Sequence, residues 1–172
     1  MQQVRFISSF LYWLSRILAI PYLLTAAYIV LAAIAGGKLL QPIDNGRRFR
    51  INFPFTEQPF LLGDSPSFWY LFEMIAFIGL YGIFFWLLGN VFRLFRQEKL
   101  FTEKGVKTLR IFYLLNLLVP LPFLIAHIVL RYEVETLVIL TVLHAVVGVF
   151  AYFMAVIFSR GLQLQTEQDL IF

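Results

Sequence analysis

Ionisable and amide side chains are rare inside the long apolar runs of this 172-residue chain, so the few present are the first candidates for chemistry. His127 lies four residues before Arg131, and His144 lies nine residues after Glu135. Helical rise places the two imidazoles roughly 6 and 13 Å inside the ends of adjacent helices. Such a pair is compatible with a bis-histidine haem or a metal. The alternative, which we expect, is two buried histidines bonded to a Tyr or a backbone carbonyl, with no cofactor.

Three further polar side chains fall within apolar runs. Glu73 lies one helical turn inside the second run, and an intramembrane acid is by default a candidate for an ion or proton path. At that depth it can instead reach the interface and pair with Arg50 or Arg131. Asn90 and Asn116 both lie toward the same end of their runs, where they are placed to bond across the second and third helices as structural glue.

The chain contains no feature of a familiar enzyme site. It has no cysteine, which excludes disulfides, thiolate metal sites and cysteine nucleophiles. No Ser/His/Asp set, HExxH sequence or phosphate-binding glycine loop is present. We therefore expect a protein that is not an enzyme and has neither a catalytic residue nor a metal site.

A cluster of positive charge lies between the second and third apolar runs. This basic segment, residues 93–110, carries six of the 14 Lys and Arg residues and two acids. The tail, residues 160–172, carries Glu167 and Asp169. We hypothesise that the tail docks on the basic segment or competes with a partner for it; the alternative is two solvated flanks that only set topology. The proposed partner-binding residues are Arg93, Arg96, Lys99, Lys104, Lys107, Arg110, Glu167 and Asp169.

The composition and the charge-free runs place these residues in a membrane protein. Hydrophobic residues make up 60% of the chain and charged residues 14%, against about 25% charged in soluble domains. Between Glu73 and Arg93 lie 19 uncharged residues, and 20 lie between Arg110 and Arg131. Each run covers roughly 30 Å as a helix, the hydrocarbon thickness of a bilayer. We predict one all-α transmembrane domain, a four-helix bundle with spans at about 17–37, 68–92, 111–130 and 136–159.

Local signals refine this prediction. Pro21 indicates either an interfacial helix that turns into the first span or one long kinked helix. Ser67 and Thr102 are expected N-caps, and Pro120 and Pro122 should kink the third span halfway. Small residues favour close helix contacts at Ala19/Ala26/Ala33, at Ala76/Gly79/Gly82 and at Gly148/Ala151/Ala155/Ser159.

The loop between the first two spans has an extended pattern. Asp44-Asn45-Gly46 is a turn signal. After it, Phe49, Ile51, Phe53 and Phe55 alternate with other residues, which indicates a half-buried strand. Paired with residues 38–43, this strand would form a short or irregular β-hairpin.

The distribution of Lys and Arg predicts the orientation. Nine lie before the first span, in the basic segment and at Arg160, whereas five lie in the outer loop and at Arg131. The positive-inside bias therefore predicts cytoplasmic N- and C-termini and a cytoplasmic basic segment. The net charge is +4, and the basic residues flank the apolar runs. We therefore expect these residues to hold the protein at an anionic lipid surface rather than to bind nucleic acid directly.

Two stretches, Arg96-Gln-Glu-Lys-Leu-Phe-Thr-Glu-Lys-Gly-Val-Lys-Thr-Leu-Arg110 and Gly161-Leu-Gln-Leu-Gln-Thr-Glu-Gln-Asp-Leu-Ile171, carry a family resemblance. The chain resembles the bacterial family of small four-span membrane proteins catalogued as domain of unknown function 2975. Gly105 stands where that family often has Asn, and Ile171-Phe172 replaces its usual ending. The resemblance implies the bacterial inner membrane and a small helix-turn-helix regulator as partner.

Three functions are compatible with the sequence. The leading hypothesis is a non-enzymatic membrane protein that binds a cytoplasmic partner through the basic segment and tail. The second is a small oligomeric permease with Glu73, His127 and His144 along its path. The third is an accessory subunit of a larger membrane complex.

Overall fold

The computed structural model describes residues 2–37, 39–97 and 99–169, without the side chain of Asp169. The helices are α1 (Gln2–Ala35), α2 (Phe68–Leu94), α3 (Glu103–Leu118), α4 (Pro120–Leu130) and α5 (Glu135–Asp169); the strands are β1 (Leu40–Ile43), β2 (Arg48–Asn52) and β3 (Pro59–Gly63). Because only Val119 separates α3 from α4, these two form one stretch of 28 residues. The described residues thus contain four helical stretches long and apolar enough to cross a bilayer, as predicted.

The surfaces of these helices are apolar. Ile125 is 59% exposed, Ile139 61% and Phe150 68%. In water each exposed apolar Å² costs about 25 cal/mol, so a surface of this kind requires hydrocarbon around it. The chain is therefore a four-helix membrane protein.

The first helix is continuous through Pro21, which decides between the two alternatives for this region. It ends at Ala35, two residues before the predicted end of the span, because Gly36 and Gly37 adopt φ of +56° and +59°. Ala19 and Ala26 are buried, as predicted, but Ala33 is exposed. A seven-residue repeat falls about 20° short of two turns, so after two repeats the stripe has rotated off the contact face.

The chain folds into two compact units. Residues 14–86 form the sheet unit, and the remaining residues form the helical unit. The boundaries cross α1 after Trp13 and α2 after Trp86.

The sheet unit contains a three-stranded antiparallel sheet in the order β1-β2-β3. Asp44, Asn45 and Gly46 form the turn between β1 and β2, all with positive φ, as the turn signal predicted. Phe49 and Ile51 of β2 are fully buried against Ile29 and Ala32 of α1. Ser67 caps α2, since the Tyr70 N–H donates to Ser67 Oγ at 3.3 Å.

The predicted hairpin is part of this sheet, but the predicted alternation stops early. Phe53 and Phe55 are 46% and 105% exposed, whereas Asn52 is 1% exposed. The register shifts between Ile51 and Asn52, which turns the following side chains away from the expected face. The third strand, β3, was not predicted.

Small residues set the contact between α1 and α2 in the sheet unit. A Cβ added to Gly82 would lie 2.8 Å from Leu23 Cγ and 3.1 Å from the Leu23 backbone nitrogen. At Gly79 the nearest atom would be Ala26 Cβ, at an ordinary 3.6 Å. The two helices therefore approach most closely at Gly82, where only a residue without a side chain fits.

In the helical unit, α5 packs along α3 and α4. Gly148, Ala151 and Ala155 are buried, as predicted, and a Cβ on Gly148 would lie 2.8 Å from Leu117 Cγ. Ser159, predicted to continue this stripe, is exposed. The buried residue beside it is Phe158, which joins Leu94, Leu109 and Ala155 in the core.

The Gly82 contact gives a direct test of the α1–α2 packing. We expect Gly82→Ala to lower the free energy of unfolding in detergent by about 1–2 kcal/mol, because the added methyl meets backbone. The matched variant Gly79→Ala should stay at or above the stability of the wild type, since Ala has the higher helix propensity and the site has room. Denaturation midpoints in sodium dodecyl sulfate measure both. Equal losses in the two variants would contradict the described contact.

Candidate functional site

The six cations of the basic segment all have exposed side chains. Arg93 lies in the last turn of α2, Arg96 and Lys99 lie in the connection, and the other three lie on the first two turns of α3. The Arg96 guanidinium carbon lies 4.9 Å from the centre of the Tyr12 ring. Among the residues that the structure describes, none of the six forms an ion pair.

The backbone that carries these charges is fixed at the N-cap of α3. The Thr102 side chain caps α3 by accepting the Gly105 N–H at 3.1 Å, as the sequence predicted. This bond fixes the residue at which the connection becomes helix, and so fixes the direction in which Lys104 and Lys107 project.

Aromatic packing holds the same polypeptide against α5. Phe101 lies edge-on to Phe158 with ring centres 5.4 Å apart, and Phe95 meets Phe158 at 5.9 Å. A Cβ on Gly161 would lie 2.6 Å from Phe101 Cγ, so the glycine admits the ring. Gly105 is likewise buried against Phe158. The basic segment is therefore a shaped surface rather than a loose loop.

A groove of about 500 Å³ runs beside this surface between α3 and α5. Its charged lining residues are Glu103, Lys107 and Arg110, and its other polar lining residue is Ser159. The remaining lining is apolar and consists of Val106, Ile111, Leu114 and Leu162. Sequence reasoning did not identify the groove, because no local pattern links α3 to residues 159–162.

The tail is an extension of α5 as far as residue 169, whereas the sequence had indicated only a polar segment. A 35-residue helix is about 52 Å long, well beyond the hydrocarbon thickness, so its end projects from the bilayer. Its start lies beside the basic segment, with Gly161 against the Phe101 ring and Leu162 in the lining of the groove. Leu164 of the tail is 61% exposed, and Leu170 and Ile171 lie outside the described residues.

Glu167, the tail acid whose side chain the structure describes, bonds within its own helix and not to a cation of the basic segment. Glu167 Oε1 accepts a hydrogen bond at 3.0 Å from Gln163 Nε2, one turn earlier on the same helix. Its side chain is exposed. The side chain of Asp169 is outside the described part of the chain.

The two histidines have different hydrogen-bond partners. His127 Nδ1 lies 3.1 Å from the Glu133 carbonyl oxygen, and its ring meets Tyr132 edge-on. His144 Nδ1 lies 2.8 Å from Asn116 Oδ1. Within the described residues, no group of three or more His, Asp or Glu side chains is arranged to hold a metal ion.

Asn116 is a structural link, but its partner differs from the one suggested by the sequence. It is 4% exposed, and its Nδ2 donates to the Phe112 carbonyl at 2.8 Å while its Oδ1 faces His144. The bond therefore joins α3 to α5, where we had expected α2 and Asn90. Asn90 is half-buried on α2.

Glu73 is half-buried on α2, one turn inside the span, as predicted. One of its two proposed partners, Arg50, bonds elsewhere: its Nε and Nη2 donate to Gln41 Oε1 at 3.0 and 2.6 Å. The other, Arg131, ends α4 in the left-handed conformation with an exposed side chain.

Arg16 is a buried cation that the sequence analysis counted only among the basic residues before the first span. It is 8% exposed, its Nη1 donates to the Trp86 carbonyl at 3.2 Å, and its guanidinium carbon lies 3.5 Å from the centre of the Trp86 ring. A cation on an indole face recovers part of the hydration that it loses on burial. Its helical spacing from Ala19 and Ala26 places Arg16 on the same contact face of α1, and this spacing could have predicted its burial from the sequence.

No known family model, curated protein or solved structure matches the chain. The family resemblance drawn from residues 96–110 and 161–171 therefore stays a prediction.

The Asn116–His144 bond gives a quantitative test of the α3–α5 contact. A double-mutant cycle with Asn116→Ala and His144→Ala should give a coupling energy of about 0.6–1.7 kcal/mol, the range for polar contacts between membrane helices. Unfolding midpoints of the four proteins in detergent supply the cycle. Additive losses would show that the two side chains do not interact.

Proposed function

We propose that this is a non-enzymatic membrane protein that binds a cytoplasmic protein with an acidic surface through the basic segment and the adjoining end of α5. The observation that carries the proposal is the combination of six exposed cations with an underlying polypeptide anchored by Thr102, Phe101 and Phe158. Such a surface is preorganised, because its backbone loses little freedom on binding.

The distribution of charge supports a cytoplasmic position for this surface. The basic segment holds six of the 14 Lys and Arg residues, and it lies on the side favoured by the positive-inside bias. A surface of one sign selects partners of the opposite sign and increases the rate of encounter. The proposed partner is a small helix-turn-helix regulator, in line with the resemblance to the family of unknown function.

The sheet unit presents a different electrostatic surface. Arg48 pairs with Asp64 at 3.1 Å and lies 3.9 Å from Asp44, and Arg50 is bonded to Gln41. Arg48 and Arg50 are thus compensated by neighbouring groups, whereas the six cations of the basic segment form no ion pair with any residue that the structure describes. This contrast favours the basic segment as the binding surface for an acidic partner.

Capture from gently solubilised membranes tests the proposal. We expect Lys99→Gln/Lys104→Gln to weaken retention of the partner about two- to thirtyfold, because each surface charge pair contributes about 0.2–1 kcal/mol. The control Arg5→Gln/Arg47→Gln removes the same charge elsewhere and should retain the partner. A single cysteine at position 104, in a chain that has none, allows the captured protein to be cross-linked at the surface itself.

Two results would contradict this function. One is equal retention by the two double variants, which would show that the basic segment is not the contact. The other is solute flux in proteoliposomes that is lost in Glu73→Gln, which would favour a permease.

A further inference from the structure

We propose that the groove between α3 and α5 is a binding site for an anionic phospholipid. The phosphate binds Lys107 and Arg110, and one acyl chain lies along Ile111, Leu114 and Leu162. This site shares Lys107 and Arg110 with the basic segment, but it does not depend on the protein binding proposed above.

The depth of the groove in the bilayer is the first argument. The charge-free stretch of α3 and α4 begins at Ile111, and the charge-free stretch of α5 ends at Ser159. Both boundaries lie in the groove lining. The groove therefore crosses from the headgroup layer, at Lys107 and Arg110, into the hydrocarbon, at Leu114. These levels are about 10 Å apart along the helix axis, from Lys107 to Leu114.

The charges of the groove fit a single phosphate. Lys107 and Arg110 are three residues apart, so they share one face of α3, and both side chains are exposed. A guanidinium binds phosphate through two parallel N–H bonds, and the ammonium adds a second positive charge. Glu103 lies one helical turn further toward water than Lys107. Its negative charge therefore repels the phosphate bound at Lys107 and Arg110 only weakly, and it disfavours a second phosphate above that site.

The apolar lining identifies the ligand as a lipid rather than a free anion. Ile111 and Leu114 remain 41% and 37% exposed in the groove. A free phosphate occupies only a few times the volume of a water molecule, which is about 30 Å³. It would therefore leave most of the groove empty and its apolar lining uncovered. A phospholipid supplies both an anionic phosphate for the two cations and an acyl chain for the apolar lining. Basic pockets between membrane helices are known sites for anionic headgroups.

Native mass spectrometry of the full chain in a non-ionic detergent tests the site. Phosphatidylglycerol is titrated against phosphatidylcholine with the same acyl chains. The wild type should retain phosphatidylglycerol preferentially, and Lys107→Gln/Arg110→Gln should lose affinity by about thirtyfold, the effect of two basic residues at a lipid surface. The matched control Lys99→Gln/Lys104→Gln removes the same charge outside the groove and should stay within about twofold of the wild type, because the groove cations remain.

Two further variants separate charge from shape. Glu103→Gln should strengthen phosphatidylglycerol binding, because it removes the one negative charge in the lining. Leu162→Trp should weaken it without changing any charge, because the indole fills the apolar part. If the double groove variant proves unstable, these two still decide the matter.

Several outcomes would overturn the proposal. Equal binding of the two lipids, or equal losses in the two double variants, would show that the groove is not selective for anionic lipid and is open to another ligand such as a partner helix. Displacement of phosphatidylglycerol by inorganic phosphate or glycerol phosphate at similar concentration would show that the site binds a free anion. No effect of Glu103→Gln and Leu162→Trp would place the lipid elsewhere.

Discussion

Hydrocarbon cannot satisfy a backbone N–H or C=O group, and this constraint determines most of the structure. Every segment that crosses the bilayer must be helical, and charge must collect where the helices leave it. The helices then approach through small residues such as Gly82 and Gly148, because apolar surface alone gives no preference for protein over lipid. Two buried polar side chains are bonded to a neighbouring helix, Asn116 to His144 and Arg16 to the Trp86 carbonyl.

The sequence predicted well what depends on local properties. A charge-free run is long enough to span a membrane whatever surrounds it, so the four spans could be recognised directly. The caps at Ser67 and Thr102 depend on a few neighbouring residues, and the structure contains both. Helix α3 ends at Leu118 and α4 begins at Pro120, the first of the two prolines at which the sequence predicted a kink. The turn at Asp44–Gly46 likewise depends on a few neighbouring residues and was predicted.

Features that depend on distant partners were not predicted. Strand β3 is short and has no alternating pattern, and its pairing with β2 brings Gly63 against the Phe49 ring, a contact between residues 14 apart in the sequence. The continuity of α1 through Pro21 could not be chosen from local residues. Asn116 could be recognised as a polar residue in an apolar run, but the choice of His144 over Asn90 depends on how the helices are arranged. The groove likewise requires two elements that are about 50 residues apart.

The basic segment brings these constraints together. Its apolar residues pack on α5, so its charges face outward. Its six cations fall into two sets. Lys107 and Arg110 line the groove at the bilayer boundary, while the other four, Arg93, Arg96, Lys99 and Lys104, are not part of the groove lining. Our two proposals therefore assign the inner edge of this surface to a lipid and its outer face to an acidic protein.

Site-specific labelling tests most directly the central claim, that the chain crosses the membrane four times with the basic segment inside the cell. The chain has no cysteine, so Asn45→Cys and Lys99→Cys each provide a single reactive thiol. A membrane-impermeant maleimide applied to intact cells should label position 45, and should label position 99 only after the membrane is permeabilised. Labelling of both positions in intact cells, or of position 99 alone, would contradict this topology.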